Sequence, residues 1–181
     1  MQTKTAQETR NGPDHKAACK WAYDLMQRQD WALIDTETSG LRGVVLEFAA
    51  IGPDGSELFN SLVHPDGERI EEGARAVHKL SDAELESAPH LPELWPAICA
   101  ALADKKLLIA YNAAFDMARI KQSARRYGLP QLAQEWQCAM EWYSQYCGEW
   151  NSHHGSYKWQ RLPAAGHRAI EDARAALAVI Q

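Results

Sequence analysis

The strongest constraint on this chain is a pair of acidic residues at the end of an apolar segment. Residues 32–34 read Ala-Leu-Ile and continue directly into Asp35-Thr36-Glu37, and the apolar run suits a buried β-strand. Side chains two positions apart on an extended backbone point to the same side, so the two carboxylates lie together. Burying two like charges is unfavourable unless something neutralises them. The segment therefore indicates either a charged strand edge that faces water or a site for a hard divalent cation, which prefers oxygen ligands.

Composition indicates a globular domain without a broad basic surface. The chain has 181 residues, of which 46% are hydrophobic and 24% are charged, enough for one domain with a substantial core. No apolar run reaches the roughly 18–20 residues that span a bilayer, and the N-terminus lacks the apolar centre of a secretory signal. We therefore expect a cytoplasmic protein with no membrane association. The net charge of −5 disfavours the binding of double-stranded nucleic acid through a broad basic surface. Bound metal ions, however, reverse the charge of an acidic pocket.

The cysteines indicate neither a disulfide framework nor a clear zinc motif. None of the four belongs to a C-x-x-C pair, whereas structural zinc ligands normally lie in pairs two to four residues apart. One combination, Cys138 and Cys147 followed by His153 and His154, leaves zinc binding open. Thiols on helices are the simpler interpretation.

The order of apolar patterns predicts an α/β fold. Residues 1–14 are interpreted as a disordered tail, and residues 15–181 as a single domain that begins with a helical extension at 15–29. Strands at 32–34, 43–52 and 57–65 are expected to form a meander. A largely helical stretch at 66–105 and a further strand at 106–112 follow.

Helices are predicted for most of the remainder. Ser81 with Glu84 predicts a capping box, and Pro96 is assigned to the first turn of a helix, where proline is tolerated. The strand at 106–112 is expected to be parallel to the first strand and reached by a helical crossover. The last helices are expected at 113–128, 131–147 and 167–181, with a loop at 148–166.

Two later segments carry further acids where helices begin. Asp116 follows the strand at 106–112, and an acid at that position also suits the helix dipole. His167 follows a glycine, and Asp172 lies five residues later at the border of the apolar stripe of the last helix. Taken singly, each has a simple explanation as a surface or capping residue.

Together, the segments DTET (35–38), YNAAFD (111–116) and HRAIED (167–172) resemble the three motifs of the DEDDh 3′–5′ exonucleases. That family includes the proofreading epsilon subunit of bacterial DNA polymerase III, ribonuclease T and oligoribonuclease. The resemblance covers residues 31–181 with the motifs in family order. It implies a ribonuclease-H-like α/β fold, a mixed sheet of an antiparallel three-strand meander plus parallel strands flanked by helices. The separately interpreted strands and helices agree with this fold.

The resemblance implies a two-metal site with a histidine base. Asp35, Glu37 and Asp172 would hold the first ion. Asp35 would bridge to the second ion, and Asp116 would act partly through water. Mg²⁺ is the expected ion, with two bound, and Mn²⁺ is the expected substitute because all four ligands are hard carboxylates. His167 would take the proton from the attacking water.

The resemblance also implies a pocket for the 3′-terminal nucleotide. The positions that match it are Thr36, Thr38, Leu41, Asn112 and Phe115. Core packing is the alternative for Leu41 and Phe115. Glu47 resembles a glutamate frequent in the family's second strand, where it would support the site or face solvent at an edge. Tyr111 stands where the family commonly has histidine.

Other basic and aromatic residues are ambiguous. Several basic side chains are candidates for phosphate contacts or for a solvated face: Arg119, Lys121, Arg125, Arg126, Lys158 and Arg161. Trp150 and Trp159, in or beside the loop near His167, would stack bases or be buried in the core or an interface.

We therefore expect a metal-dependent 3′–5′ exonuclease that acts on single-stranded or frayed DNA and releases nucleoside 5′-monophosphates. An exoribonuclease similar to ribonuclease T or oligoribonuclease, and a non-catalytic nucleic-acid-binding domain, are the alternatives. Single-stranded DNA or RNA 3′ ends are the expected partners. The resemblance allows a homodimer and a polymerase or other replication or repair partner. Because the sequence stops directly after the third motif and carries an N-terminal helix, a free-standing nuclease or a different partner is favoured over a polymerase subunit.

Overall fold

The acidic segment lies on the central strand of a five-stranded mixed sheet. The computed structural model describes residues 12–181. The strands are β1 (Trp31–Thr38), β2 (Val45–Ile51), β3 (Glu57–Leu62), β4 (Leu107–Ala110) and β5 (Glu135–Cys138). Their order across the sheet is β3-β2-β1-β4-β5. The β1–β2 and β2–β3 pairs are antiparallel, whereas β1–β4 and β4–β5 are parallel, which confirms the predicted mixed sheet, its meander and the parallel crossover.

Seven helices and a small hairpin complete the described part of the chain. The helices are α1 (Pro13–Met26), α2 (Glu72–His78), α3 (Asp82–Glu86), α4 (Leu91–Ala101), α5 (Ala113–Arg126), α6 (Ala139–Cys147) and α7 (Ala169–Ile180). Strands β6 (Trp150–Asn151) and β7 (Ser156–Tyr157) pair as the hairpin. Within residues 12–181, no helix combines the length and the apolar character needed to cross a membrane.

Helices cover the sheet on both faces, which explains why its central strands β1 and β2 are buried along almost their whole length. Trp31 and Leu33 of β1 pack into a cluster that includes residues of α1, α6 and α7. Ala32 and Ile34 pack into a second cluster with residues of α4 and α5. Alternate side chains of one strand thus contribute to two cores, as the two-residue period of a strand requires.

Two structural details differ from the sequence-based expectation. The segment 131–147 was predicted as one helix, which is wrong because residues 135–138 form β5. Four residues among good helix formers give no clear strand pattern, and the strand exists because its backbone pairs with β4. The second detail is Pro96, which lies inside α4 and not in its first turn. The helix begins earlier, at Leu91, and Pro92 takes the first-turn position.

The ends of the domain show smaller differences. Residues 1–11 of the expected disordered tail lie outside the described residues, and α1 begins at Pro13 and ends at Met26. The loop at 148–166 contains the β6–β7 hairpin. The capping box of Ser81 and Glu84 is confirmed at the start of α3.

The topology brings the three acidic segments to one edge of the sheet. Because β1 and β4 are parallel, their C-terminal ends lie at the same edge, where β1 carries Asp35 and Glu37 and β4 leads into α5 with Asp116. Helix α7, which carries Asp172, packs against β1 and β2.

Candidate active site

Three carboxylates from the first and last motifs converge. The ligand oxygens of Asp35, Glu37 and Asp172 all lie within 4.8 Å of one another. Glu37 is only 9% exposed, and Asp35 and Asp172 are partly buried. Asp35 and Glu37 lie two residues apart on β1 and therefore share a face. Asp172 lies in the first turn of α7, which brings its carboxylate to the other two.

Asp116 reaches the same place from the other side of the strand end. Its side chain is 4% exposed, and its Oδ1 accepts a hydrogen bond of 2.7 Å from the hydroxyl of Thr36. Thr36 lies between Asp35 and Glu37 on β1, so this bond fixes α5 against the acidic strand end. Repulsion from Asp116 is also one of the causes that raise the pKa of Asp35.

The electrostatics of Asp35, Glu37 and Asp116 favour the binding of positive charge. Burial, followed by repulsion from Asp116 and Asp172, raises the pKa of Asp35 well above its usual range. Burial also raises the pKa of Glu37 to about 8, and repulsion from Asp172 and Glu47 adds to this rise. Burial raises the pKa of Asp116 to about 7, against the hydrogen bond from Thr36, which lowers it. Divalent cations bound to the oxygens would hold these groups ionised, because opposite charge favours the charged form.

The residues fit hard divalent ions. The candidate ligands are all carboxylates, which suit Mg²⁺ and Mn²⁺. The alternative set of Cys138, Cys147, His153 and His154 does not come together. Among residues 12–181, the two groups with metal-binding geometry contain no cysteine.

The backbone before α7 is shaped around Asp172. Its Oδ1 accepts hydrogen bonds from the backbone N–H groups of Gly166 at 2.7 Å and His167 at 3.2 Å. His167 has a left-handed φ of 60°, a conformation that costs a non-glycine residue about 1–2 kcal/mol. Its side chain is exposed, and its ring makes no hydrogen bond within the described residues. The backbone of His167 is therefore held beside an acid of the site, and its side chain is open to water or substrate.

A buried ion pair fixes the start of α7. Glu47 is 1% exposed, so the alternative that it faces solvent is wrong. Its two carboxylate oxygens accept hydrogen bonds of 2.8 and 3.1 Å from the guanidinium of Arg168. Oε2 also accepts from the backbone N–H of Ala169 at 3.1 Å. Since Glu47 lies opposite Glu37 in the β1–β2 register, this pair links the acidic strand to the residue that follows His167.

Sequence reasoning did not single out Arg168. An acid in an apolar strand needs a partner when it is buried, and this was the signal available. The partner lies 121 positions away, so spacing along the chain could not identify it.

The predicted nucleotide-pocket residues differ in their exposure. Thr36 and Thr38 are buried, and both hydroxyls donate hydrogen bonds, to Asp116 at 2.7 Å and to the Gly40 carbonyl at 3.1 Å. Leu41 is 78% exposed, so core packing is wrong for this residue.

After β4, Tyr111 is buried, and Asn112 and Phe115 are partly buried. Asn112 immediately precedes α5 and uses its backbone carbonyl for the first helical hydrogen bonds, while its side chain makes no capping bond. Phe115 has the guanidinium of Arg119 6.0 Å from its ring centroid. Tyr111 donates a hydrogen bond of 2.9 Å from its hydroxyl to the carbonyl of Gln160, so it connects β4 to the loop before α7.

The loop tryptophans are largely exposed. Trp150 is 41% exposed and packs edge-on against Tyr157, and Trp159 is 73% exposed. Burial in the core is therefore wrong for Trp159. Of the candidate phosphate contacts, Arg126 is already bonded to Glu68 and to the carbonyl of Asp66.

We predict that Arg168→Met lowers the free energy of unfolding by about 3 kcal/mol, because it leaves the charge of Glu47 buried without a partner. This is the low end for breaking a buried pair, since the Arg168 side chain is 42% exposed. Urea unfolding measures the change. Arg174→Met, an exposed arginine on the same helix, is the matched control and should change stability by less than about 0.5 kcal/mol. Equal stability of the two variants would contradict the role of the pair.

The metal-free protein should lose stability as pH rises from about 5 to 8. Glu37 has an ordinary pKa of 4.5 and a folded-state pKa of about 8. In this range the folded chain therefore keeps a proton that the unfolded chain has released, and stability falls with rising pH. Unfolding in EDTA at several pH values, compared with Glu37→Gln, isolates this contribution, and saturating Mg²⁺ should remove it. A wild-type protein that gains stability relative to Glu37→Gln over this range would rule the explanation out.

Comparisons with known proteins agree with this geometry. A family model described as "Exonuclease" (RNase_T) matches residues 32–180. An uncharacterized exonuclease, CP81, of Escherichia phage 186 is 32% identical over 94% of this chain and 93% of its own length. Exodeoxyribonuclease 10 of Escherichia coli K12 is 30% identical over 60% of this chain and 44% of its own length.

Solved structures show the same fold. Exonuclease X, solved in complex with 5′ overhanging duplex DNA, is 28% identical with a TM-score of 0.57, over 82% of this chain and 89% of that one. The nuclease domain of 3′hExo, a DEDDh family member bound to rAMP, has a TM-score of 0.56 at 12% identity over 84% of this chain and 90% of that one, which supports the fold alone. With the family model spanning all three motifs, the chain belongs to the DEDDh exonuclease family.

Proposed function

We propose that this chain hydrolyses phosphodiester bonds at the 3′ end of single-stranded or frayed DNA and releases nucleoside 5′-monophosphates. The observation that carries the proposal is the convergence of the Asp35, Glu37 and Asp172 oxygens within 4.8 Å, with Asp116 bonded to the residue between the first two. The choice of DNA is supported by the relative named as an exodeoxyribonuclease and by the similar nuclease solved with DNA.

The four carboxylates would hold two Mg²⁺ ions, with Mn²⁺ as a substitute. Asp35, Glu37 and Asp172 would bind one ion, Asp35 would also bind the second, and Asp116 would act partly through water. Two such ions supply an activated water and stabilise the charge on the leaving 3′ oxygen. The raised pKa values of Glu37 and Asp116 mean that proton release accompanies metal binding.

His167 would serve as the general base. Its ring is exposed and forms no hydrogen bond within the described residues, so a lone pair is available to accept the proton of the attacking water. The backbone bond from His167 to Asp172 holds the main chain of this residue at the acids, which supports the assignment. The Glu47–Arg168 pair fixes the next residue, which limits how far the imidazole can move.

The terminal nucleotide would lie against the exposed side chain of Leu41 and the partly buried ring of Phe115. Apolar and aromatic faces accept every base, and stacking of this kind contributes about 1–3 kcal/mol per base. Asn112, whose amide makes no capping bond, would offer hydrogen bonds. Thr36 and Thr38 would shape the backbone that meets the 3′ hydroxyl.

The compartment proposed for this reaction is the cytoplasm. None of the four cysteines forms a disulfide, which agrees with a reducing environment.

Digestion of 5′-labelled oligonucleotides tests the proposal. With Mg²⁺, single-stranded DNA should shorten stepwise from its 3′ end, and EDTA or Asp35→Asn should abolish the reaction because the bridging ligand is lost. A matched RNA oligomer in the same assay decides the sugar. Degradation of RNA alone would make the enzyme an exoribonuclease. Binding without degradation of either substrate, or full activity of Asp35→Asn, would overturn the proposal.

We predict that His167→Ala lowers turnover by a factor of about 10²–10⁴, the usual contribution of a general base. Mg²⁺ affinity should persist, since no ligand is removed, and calorimetric titration checks this. His153→Ala removes an exposed imidazole from the β6–β7 hairpin and should leave turnover unchanged. Normal turnover in His167→Ala would exclude the histidine from the mechanism.

A further inference from the structure

A second group of metal-binding side chains lies apart from the four carboxylates. It consists of His64 and Asp66 in the turn after β3 and His90 immediately before α4, and their ligand atoms lie within 4.8 Å of one another. Oδ1 of Asp66 lies 3.0 Å from Nδ1 of His64 and 2.5 Å from Nδ1 of His90. Two imidazoles, with ring centroids 4.4 Å apart, thus converge on one carboxylate oxygen.

This cluster and Asp116 belong to opposite ends of α5. The hydroxyl of Tyr127, the residue after α5, donates to Oδ2 of Asp66. Arg126, the last residue of α5, donates to the Asp66 carbonyl at 2.9 Å. Asp116 precedes Arg126 by ten residues, about 15 Å along a helix axis. The cluster is therefore a separate site.

The backbone around the cluster is held in place from several directions. Asp66 has a left-handed φ of 50°, a strained conformation for a residue with a side chain. The N–H of His64 donates to the Pro89 carbonyl at 2.9 Å, which joins the two loops. The N–H of His90 donates to the Glu93 carboxylate at 2.8 Å. The three side chains are thus positioned by bonds that do not involve their own ligand atoms.

The two contacts that Nδ1 of His64 makes with Asp66 place opposite demands on this nitrogen. Nδ1 of His64 accepts a hydrogen bond of 3.0 Å from the N–H of Asp66, which requires a lone pair on that nitrogen. The same nitrogen faces the Asp66 carboxylate, a contact that requires a proton. One ring nitrogen carries either a proton or an available lone pair, so one of the two contacts is unfavourable unless a cation joins the nitrogen and the oxygen.

We propose that His64, Asp66 and His90 bind one Zn²⁺ ion or a similar divalent transition-metal ion. Two imidazole nitrogens and one carboxylate oxygen suit zinc, whereas the all-carboxylate site suits Mg²⁺. Tetrahedral zinc with bonds of about 2.0–2.2 Å places its ligand atoms about 3.3 Å apart. The nitrogen–oxygen distances of 3.0 and 2.5 Å reach this value after small side-chain rotations, and water takes the fourth position.

The ion would connect the turn after β3, the start of α4 and the end of α5. The hydroxyl of Tyr127 on Oδ2 leaves Oδ1 for the metal and fixes the orientation of the carboxylate, as outer partners of metal ligands do. With Nδ1 of His64 on the ion, the N–H of Asp66 turns to water, since this turn is partly exposed.

Calorimetric titration with Zn²⁺ in excess Mg²⁺ tests the site. Wild-type protein should show a Zn²⁺ binding event that His90→Gln weakens at least tenfold and the His64→Gln/His90→Gln variant loses. Zn²⁺ bound at the four carboxylates appears equally in all variants, so the difference isolates the new site. The matched control is His153→Gln/His154→Gln, which removes two neighbouring exposed imidazoles of the hairpin and should bind as wild type does.

Two further measurements separate metal binding from a hydrogen-bonded cluster. Tyr127→Phe should weaken the Zn²⁺ affinity by about 10–100-fold, the usual effect of an outer partner. In excess Mg²⁺, Zn²⁺ should raise the thermal unfolding midpoint of wild type more than that of the double variant, because only the folded wild type has this additional binding site. If the double variant does not fold, His90→Gln alone decides, since this side chain is 49% exposed. Equal Zn²⁺ affinity of wild type and His90→Gln would overturn the proposal.

Discussion

Mutual repulsion among four carboxylates is the constraint around which this domain is built. Asp35, Glu37 and Asp172 lie with their oxygens within 4.8 Å, and Asp116 is buried beside them. In the absence of cations, burial together with repulsion raises the pKa values of Asp35 and Glu37, and burial raises the pKa of Asp116, which opposes their ionisation. The rest of the fold has to supply enough favourable packing to keep them together. It does so by placing two of the acids at the end of a strand that is buried on both faces, and by packing the helices that carry the other two against this strand.

Successive side chains of β1 point to opposite faces of the sheet, so this strand contacts site residues on both faces. Odd-numbered residues pack toward the cluster that contains α7, as Trp31 and Leu33 show, and Asp35 and Glu37 continue this series. Even-numbered residues pack toward α4 and α5, and Thr36 continues that series to reach Asp116. A shift of one residue in the β1 register would therefore separate every member of the site from its partner.

Sequence predicted the parts of this protein that depend on local pattern or on motif order. The meander and the parallel crossover belong to this class, because apolar periodicity carries them. The grouping of Asp35, Glu37 and Asp172 belongs to it through the motif resemblance, whereas the roles of the five motif residues stay a prediction. Strand β5 and the Glu47–Arg168 pair do not, since each exists through a partner far along the chain: β4 for the strand, and a residue 121 positions away for Glu47. The grouping of His64, Asp66 and His90 is of the same kind. It depends on how two loops meet at the end of α5, which no local pattern records.

The position of Asp172 in α7 has a consequence for biosynthesis. Strand β1 and its two acids leave the ribosome early, but the helix that carries Asp172 is translated more than 130 residues later. The acidic cluster is therefore incomplete until α7 emerges and docks on β1 and β2. With Asp172 as a ligand of the proposed site, its place in a late element would keep an unfinished polypeptide from degrading nucleic acid while it is still being made.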